Sequence, residues 1–320
     1  MILVKVFIVG SEGTAGLRLH SRLKARADIE LLEIDSELRK DTSEIKRLIE
    51  KSDFVFLCLP DDAARETVEL AAGTRARIID TSTAHRTANG WAYGFPELSA
   101  KHRGDIHSAK HVASPGCHAS GFISLIYPLI SAGIITADYP LFCTSLTGYS
   151  GGGIKMIAEY ENSARSAELS SPKLYAMGQS HKHIPEIVAQ CGLRHTPIFM
   201  PIVDDFYSGM LVTLPLHASM LNGKHSIFDI RQAIKAHYAD SKLVKVMDNA
   251  PTALFSNTLA GRDDMEIYVS GSDEGILLTS RFDNLGKGAS GAAIQCFNIM
   301  CGVPEETGLS FDAFRLTGNS

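Results

Sequence analysis

Residues 2–9, ILVKVFIV, run straight into GSEGTAG, and LRLHSRLKAR follows with its apolar residues at helical spacing. A short β-branched run without polar alternation reads as a strand buried on both faces. A glycine turn that joins such a strand to a helix is the first βα connection of a parallel sheet. The pattern then repeats: IELLEI (29–34), a polar helix around DTSEIKRLIEKS, DFVFLCLP (53–60), the helical DAARETVELAAG, and RIIDTS (77–82). Stacked βαβ units require an open parallel sheet with helices on both faces.

The pattern changes near residue 117. GFISLIYPLISAG reads as a helix, and YPLFCTSLTGYSGGG as a strand ending in a glycine cluster. PIFMPIV, GMLVTLPLHA, KLVKVMD, MEIYVSGS and GILLTSRF read as longer strands without regular helices between them. That composition predicts a mixed or antiparallel sheet, hence an α+β second domain. NLGKGASGAAIQCFNIMCG (284–302) closes the fold with an apolar helix. The expected class is α/β: a Rossmann-like dinucleotide-binding domain over 1–116, to which a helix at 285–303 returns, and an α+β catalytic domain over 117–284. A chain of 320 residues, 45% hydrophobic, is long enough to fill both cores.

Charge and cysteine usage narrow the partners. The net charge is −5 and no basic stripe appears, so nucleic acid is not an expected partner. The apolar N-terminus is too short to span a membrane and lacks the features of a signal peptide, so no membrane is expected either. The six cysteines form no CxxC pair and no zinc spacing. The expectation is a reducing cytoplasm, no disulfides and no metal.

Gly10, Gly13 and Gly16 form G-x-x-G-x-x-G between the first strand and its helix. Gly10 allows the tight turn, Gly13 lets a pyrophosphate approach the backbone, and Gly16 lets helix and strand pack closely. The N–H groups at the helix start, at Thr14 and Ala15, suit the phosphates. Strand two ends in EIDSELRK. Asp35 suits a ribose 2′-hydroxyl, whereas Ser36, Arg39 and Lys40 suit a 2′-phosphate, so these residues alone leave NAD and NADP open.

Cys117 follows Ser-Pro-Gly and opens a helix. A thiol there feels the positive end of the helix dipole, and the thiolate is a strong nucleophile. Beside a nicotinamide, one chemistry is natural: the thiolate attacks an activated acyl group, and hydride then passes to or from the carbonyl carbon.

Six segments, in order, resemble the N-acetyl-γ-glutamyl-phosphate reductase family in its shorter type: IIDTSTAHR (78–86), YGFPEL (93–98), SPGCHASG (114–121), TGYSGGGIK (147–155), HKHIPEI (181–187) and NLGKGASGAAIQ (284–295). The resemblance covers nearly the whole chain. It implies the fold of the semialdehyde dehydrogenases, NADP(H) as cofactor, N-acetylglutamyl phosphate as substrate, Cys117 as nucleophile, and a homodimer or homotetramer. His181 and His183 are then the acid/base candidates, with His181 taking the chemistry and His183 orienting the substrate or packing. Arg86, Ser150, Gly151 and Lys155 would bind anionic groups of the substrate. Ser82, Asn284, Gly286 and Lys287 would lie by the nicotinamide. Two departures stand out: His118 replaces the usual aromatic after the cysteine, and Ser120 the usual threonine. The competing readings are aspartate-semialdehyde dehydrogenase, which shares the nucleophile logic but lacks H-x-H-x-P-E-I, and a non-catalytic dinucleotide sensor.

Overall fold

The computed structural model describes residues 3–312. The described residues divide into two compact units: one runs to Gly116 and adds Ala289–Leu309, and the other spans Cys117–Gly288 and adds residues 310–312.

In the first unit, strands β1 (Val4–Val9), β2 (Ile29–Leu32), β3 (Phe54–Leu57), β4 (Arg77–Asp80), β5 (Ala92–Tyr93) and β6 (His111–Ala113) form one sheet in the order β2-β1-β3-β4-β6-β5. Every pairing is parallel. Helices α1 (Thr14–Lys24), α2 (Thr42–Lys51), α3 (Asp61–Leu70) and α4 (Ala100–Ser108) connect the strands. The period of β1 explains its uninterrupted apolar reading. Val6 and Ile8 pack with Leu19 and Leu23 of α1, Ile106 of α4 and Phe297. Phe7 and Val9 pack with Ile45 and Leu48 of α2 and Ala64 of α3 on the other face. The chain leaves β1 for β2 on one side and then crosses to β3 on the other. That reversal opens the crevice, at the carboxyl ends of β1 and β3, where such sheets bind ligands.

The second unit opens with α5 (Cys117–Ser131), eleven of whose fifteen residues are buried. Gly121 lets it lie on the sheet, since a Cβ there would overlap the Val212 side chain. Pro128 interrupts its ladder, because it has no N–H to give the Ser124 carbonyl. The Tyr238 hydroxyl donates to that carbonyl instead, at 2.8 Å. Strands β7 (Phe142–Gly148), β8 (Lys173–Leu174), β9 (Ile198–Asp204), β10 (Met210–His217), β11 (Val244–Val246), β12 (Met265–Gly271) and β13 (Gly275–Phe282) form a mixed sheet, order β11-β12-β13-β10-β7-β9-β8. β7–β9 and β11–β12 are parallel, and the other pairs antiparallel. Alternate residues face away from α5, and among them Phe142, Ile198 and Leu277 are exposed.

Two expectations change here. Helices α6 (Gly153–Glu161), α7 (Ile184–Cys191) and α8 (Ile227–His237) stand among the strands that were expected to lack them. α7 carries Pro185 in its first turn, and α8 starts on a capping box between Ser226 and Asp229. The final helix, α9 (Gly291–Cys301), does not begin at 285: Gly286–Ser290 is a π-helical turn, closed by the Gly288 N–H on the Asp283 carbonyl. α9 lies in the first unit, where Phe297 meets Phe54 edge-on at 4.9 Å.

Candidate active site

The glycine turn after β1 is built by close approach. Gly10 has φ +86°, and a Cβ there would overlap the Cys58 carbonyl oxygen. A Cβ at Gly16 would overlap the carbonyl oxygen of Gly10. These two glycines are required by the protein itself. Gly13 is not: the nearest atom to a Cβ there, Gly10 O, stands at an ordinary 3.5 Å. The Thr14 hydroxyl oxygen, in the first turn of α1, is buried with no hydrogen-bond partner among the described residues. A glycine that packing does not demand and an orphaned hydroxyl beside the α1 N-terminus, with Ala15 next along, fit a diphosphate. Gly10, Gly13, Thr14, Ala15 and Gly16 are therefore the residues that would hold the dinucleotide. Across the turn, Arg39 pairs with Glu12. Asp35 accepts the Glu37 N–H, and Ser36 is exposed beside it.

Ser82 and Arg86 follow β4. The Ser82 hydroxyl donates to buried Asp80 at 2.6 Å, and the same carboxylate holds His85 Nδ1 at 2.6 Å. His85 in turn stacks on Trp91 at 4.1 Å. The Arg86 guanidinium is buried and donates to the carbonyls of Ser114 (2.9 Å) and Thr81 (3.1 Å). Its geometry is that of a backbone clamp on the segment leading to Cys117, not of an open anion site. Spacing could not reveal this, because Ser114 lies 28 residues away.

Cys117 is the first residue of α5 and is only partly buried. It differs in this from Cys143 and Cys191, which are buried and whose thiols burial pushes up; Cys58 is partly exposed like Cys117, yet desolvation pushes its thiol up to about 12. Gly288 of the π-turn packs against Cys117: a Cβ at 288 would stand 2.9 Å from Cys117 Cβ. The next residue, His118, is buried between Ser145 Oγ (2.6 Å from Nδ1) and Tyr175 Oη (2.9 Å from Nε2). Burial, with the charges of His181 and Lys182, lowers its pKa to about 3, so the ring is neutral. His181 and His183 pack on it, ring centres at 5.2 and 5.5 Å. His181 Nδ1 accepts the His183 backbone N–H at 3.2 Å, which leaves Nε2 as its proton-carrying nitrogen. His183 is buried, whereas His181 is partly exposed. Burial first, and the charge of Cys117 second, push the Tyr175 phenol above its ordinary value.

The glycine turn after β7 is shaped from inside. A Cβ at Gly148 would lie 2.6 Å from the carbonyl oxygens of Phe206 and Tyr207. Asn284 clamps the turn: its Nδ2 donates to Ser150 Oγ at 2.9 Å, and its Oδ1 accepts the Gly209 N–H at 2.9 Å. A Cβ at Gly286 would overlap the Arg262 carbonyl oxygen. These contacts account for Asn284, Ser150 and Gly286 without a ligand. Lys287 is buried in the π-turn. Gly151 and Lys155 are exposed, at the mouth of the turn and on α6. Sequence reasoning passed over Tyr175 and Ser145 altogether. They stand 57 and 27 residues from His118, so no local spacing points to them.

Residues 5–106 match the semialdehyde dehydrogenase NAD-binding domain, and residues 117–284 the semialdehyde dehydrogenase dimerisation domain. The chain is 42% identical over 321 residues to N-acetyl-γ-glutamyl-phosphate reductase 2 of Nostoc sp., covering 95% of this chain and 99% of that one. It is also 42% identical over 304 residues to N-acetyl-γ-glutamyl-phosphate reductase of Sinorhizobium medicae, covering 92% and 98%. Among solved structures, aspartate semialdehyde dehydrogenase II of Vibrio cholerae, complexed with ASA, superposes with a TM-score of 0.73 at 13% identity, covering 94% of this chain and 99% of that one. Aspartate semialdehyde dehydrogenase of Candida albicans with NADP gives 0.67 at 14% identity, covering 93% and 98%. At these identities the two structures speak for the fold alone.

Proposed function

The chain belongs to the semialdehyde dehydrogenase family, among the N-acetyl-γ-glutamyl-phosphate reductases, and we propose that it reduces N-acetyl-L-glutamyl 5-phosphate to N-acetyl-L-glutamate 5-semialdehyde with NADPH, releasing phosphate, as a step of arginine biosynthesis. What carries the reading is a partly exposed cysteine at the first turn of a buried helix, next to a three-histidine cluster, in a chain 42% identical to such reductases along 95% of its length.

The Cys117 thiolate attacks the 5-carbonyl carbon. The C–S bond forms, the bond to the phosphate oxygen breaks, and phosphate leaves with the electron pair. A trianionic phosphate is a poor leaving group, so His181 gives it a proton from Nε2; the imidazolium that does so carries a second proton on Nδ1 and releases the His183 N–H. When bound, the reduced nicotinamide supplies the hydride that the thioester carbon takes up. Cleavage of the C–S bond then regenerates the thiolate and frees the aldehyde, and a solvent proton resets His181. The turn at 150–153 and Lys155 offer donors to an anionic end of the substrate. Ser36 and Arg39 would meet a 2′-phosphate, for which Arg39 exchanges Glu12.

A second copy is the expected partner, in a homodimer or homotetramer. The outward apolar sheet face, with Phe142, Ile198 and Leu277, supports this, and light scattering measures it. A thiolate nucleophile suits the reducing cytoplasm. The deciding assay follows NADPH formation from synthetic N-acetylglutamate semialdehyde, phosphate and NADP, with aspartate semialdehyde run beside it. Turnover on the first substrate, abolished by Cys117→Ala, is expected. A folded Cys117→Ala variant that still turns over refutes the mechanism, and preference for aspartate semialdehyde refutes the substrate.

A further inference from the structure

Two groups stand against the head of α5 with almost no spare room. The first is Gly288: a Cβ there would stand 2.9 Å from Cys117 Cβ and 3.2 Å from the Asp283 carbonyl oxygen. The second is the ring of Phe282, fully buried at the end of β13. Its Cε2 lies 3.2 Å from that same point at 288, and its Cε1 3.0 Å from where a Cβ would stand at Gly121, one turn along α5. One ring thus spaces the first turn of α5 from the π-turn. Neither side can give. A Cβ at Gly121 would overlap Val212, so the helix already lies hard on the sheet. The Gly286 and Gly288 N–H groups hold the Asp283 carbonyl at 3.0 and 3.1 Å, and the Leu285 N–H holds the Asp283 carboxylate at 2.8 Å. A Cβ at Gly286 would overlap the Arg262 carbonyl oxygen, so the π-turn cannot retreat either. We propose that Gly288 is a positioning residue: with the Phe282 ring it forms a stop against Cys117 Cβ, and so fixes where the sulfur stands without setting its acidity.

The inference rests on Cys117 as the nucleophile. Carbon atoms in contact settle at about 3.5–4.0 Å, so a methyl at 288 would push Cys117 Cβ by roughly 0.6–1 Å. Misplacement of a reacting group by that much costs about a hundredfold in rate. The experiment compares Gly288→Ala with the wild type in the full chain. It reads the sulfur position by crystallography, NADPH binding by cofactor fluorescence, turnover of N-acetylglutamate semialdehyde, and iodoacetamide alkylation of Cys117 from pH 5 to 9. The sulfur should move by at least about 0.5 Å and kcat should fall about a hundredfold, with KM and NADPH affinity held within about twofold. The alkylation profile should keep its midpoint and height, because a free reagent reaches the thiolate wherever it stands, whereas a bound substrate cannot follow it. Phe282→Leu, which shortens the spacer and keeps the glycine, should show the same split at about tenfold. A folded Gly288→Ala variant with wild-type kcat, or with its sulfur in place, overturns the proposal. So does alkylation that falls in step with kcat, which marks access rather than aim, and so does NADPH binding lost while the sulfur stays put. Should Gly288→Ala not fold, wild-type kcat in Phe282→Leu overturns the proposal instead. If the wild type turns over neither semialdehyde, the reductase reading fails, and the displacement of the sulfur alone decides this one.

Discussion

Replacing His118 with Phe should make the second unit less sensitive to acid. His118 titrates at the ordinary 6.5 in the unfolded chain and at about 3 in the fold, chiefly because burial disfavours its charged form. Between those values the unfolded state binds a proton that the folded state refuses, so stability rises with pH across that window. The contribution is fully favourable above about pH 6.5 and declines by about 1.4 kcal/mol per unit as pH falls towards 3. At pH 5 the loss is 1.5 units, or about 2 kcal/mol, a large share of a typical total of 5–15 kcal/mol. The fixed cost of removing the bonds to Ser145 and Tyr175 does not change with pH. The difference of differences therefore isolates the titration: urea unfolding of both proteins at pH 7.5 and pH 5. Trp91, the one tryptophan, lies in the first unit, so circular dichroism, which follows both units, is the readout. The wild type should lose about 2 kcal/mol more than His118→Phe on going to pH 5. Parallel losses in the two proteins would refute the buried, neutral imidazole.

Two further outcomes follow from packing. Tyr238→Phe leaves the buried Ser124 carbonyl, already deprived of a helical partner by Pro128, without a donor, and should cost about 1–3 kcal/mol in thermal unfolding; no change would mean that another group reaches it. Gly13→Ala should leave the melting temperature near that of the wild type yet weaken NADPH binding, read by cofactor fluorescence, whereas Gly16→Ala should destabilise the first unit outright, because its methyl meets the Gly10 carbonyl; equal effects on stability would refute the distinction.

The first unit was legible because its physics is local. Strands covered on both faces become unbroken apolar runs, and Gly16 answers to Gly10 within one βα turn, although Gly10 itself meets the Cys58 carbonyl after β3. Cys117 at the head of α5 was also legible, since Pro115-Gly116 forces a break before a mostly apolar helix. In the second unit, strand runs dominated the reading. The signals for α7 and α8, a first-turn proline and a Ser226–Asp229 box, are single residues beside long β-branched segments. At the candidate site the place of Cys117 was legible, and what surrounds it was not. Arg86 is answered by Ser114, Asn284 by Ser150 and Gly209, and His118 by Ser145 and Tyr175, each at a separation that no helical or strand period encodes.

The segment that carries Tyr175 and His181 shows how such distant groups are held still. After β8 ends at Leu174, Tyr175 N–H still reaches the Pro201 carbonyl, and the backbone then turns through Ala176 (φ 53°) and Gln179 (φ 55°). Left-handed backbone at residues other than glycine costs about 1–3 kcal/mol each and persists only when the surroundings fix it. Here the Gln179 side chain does so. Its Nε2 donates to the Phe199 carbonyl and its Oε1 accepts the Phe199 N–H, both at 2.9 Å. The amide thus continues the ladder on β9 where β8 has stopped, with a side chain in place of a strand. Tyr175 and His181 are therefore held on a segment anchored to the sheet rather than carried on a free loop.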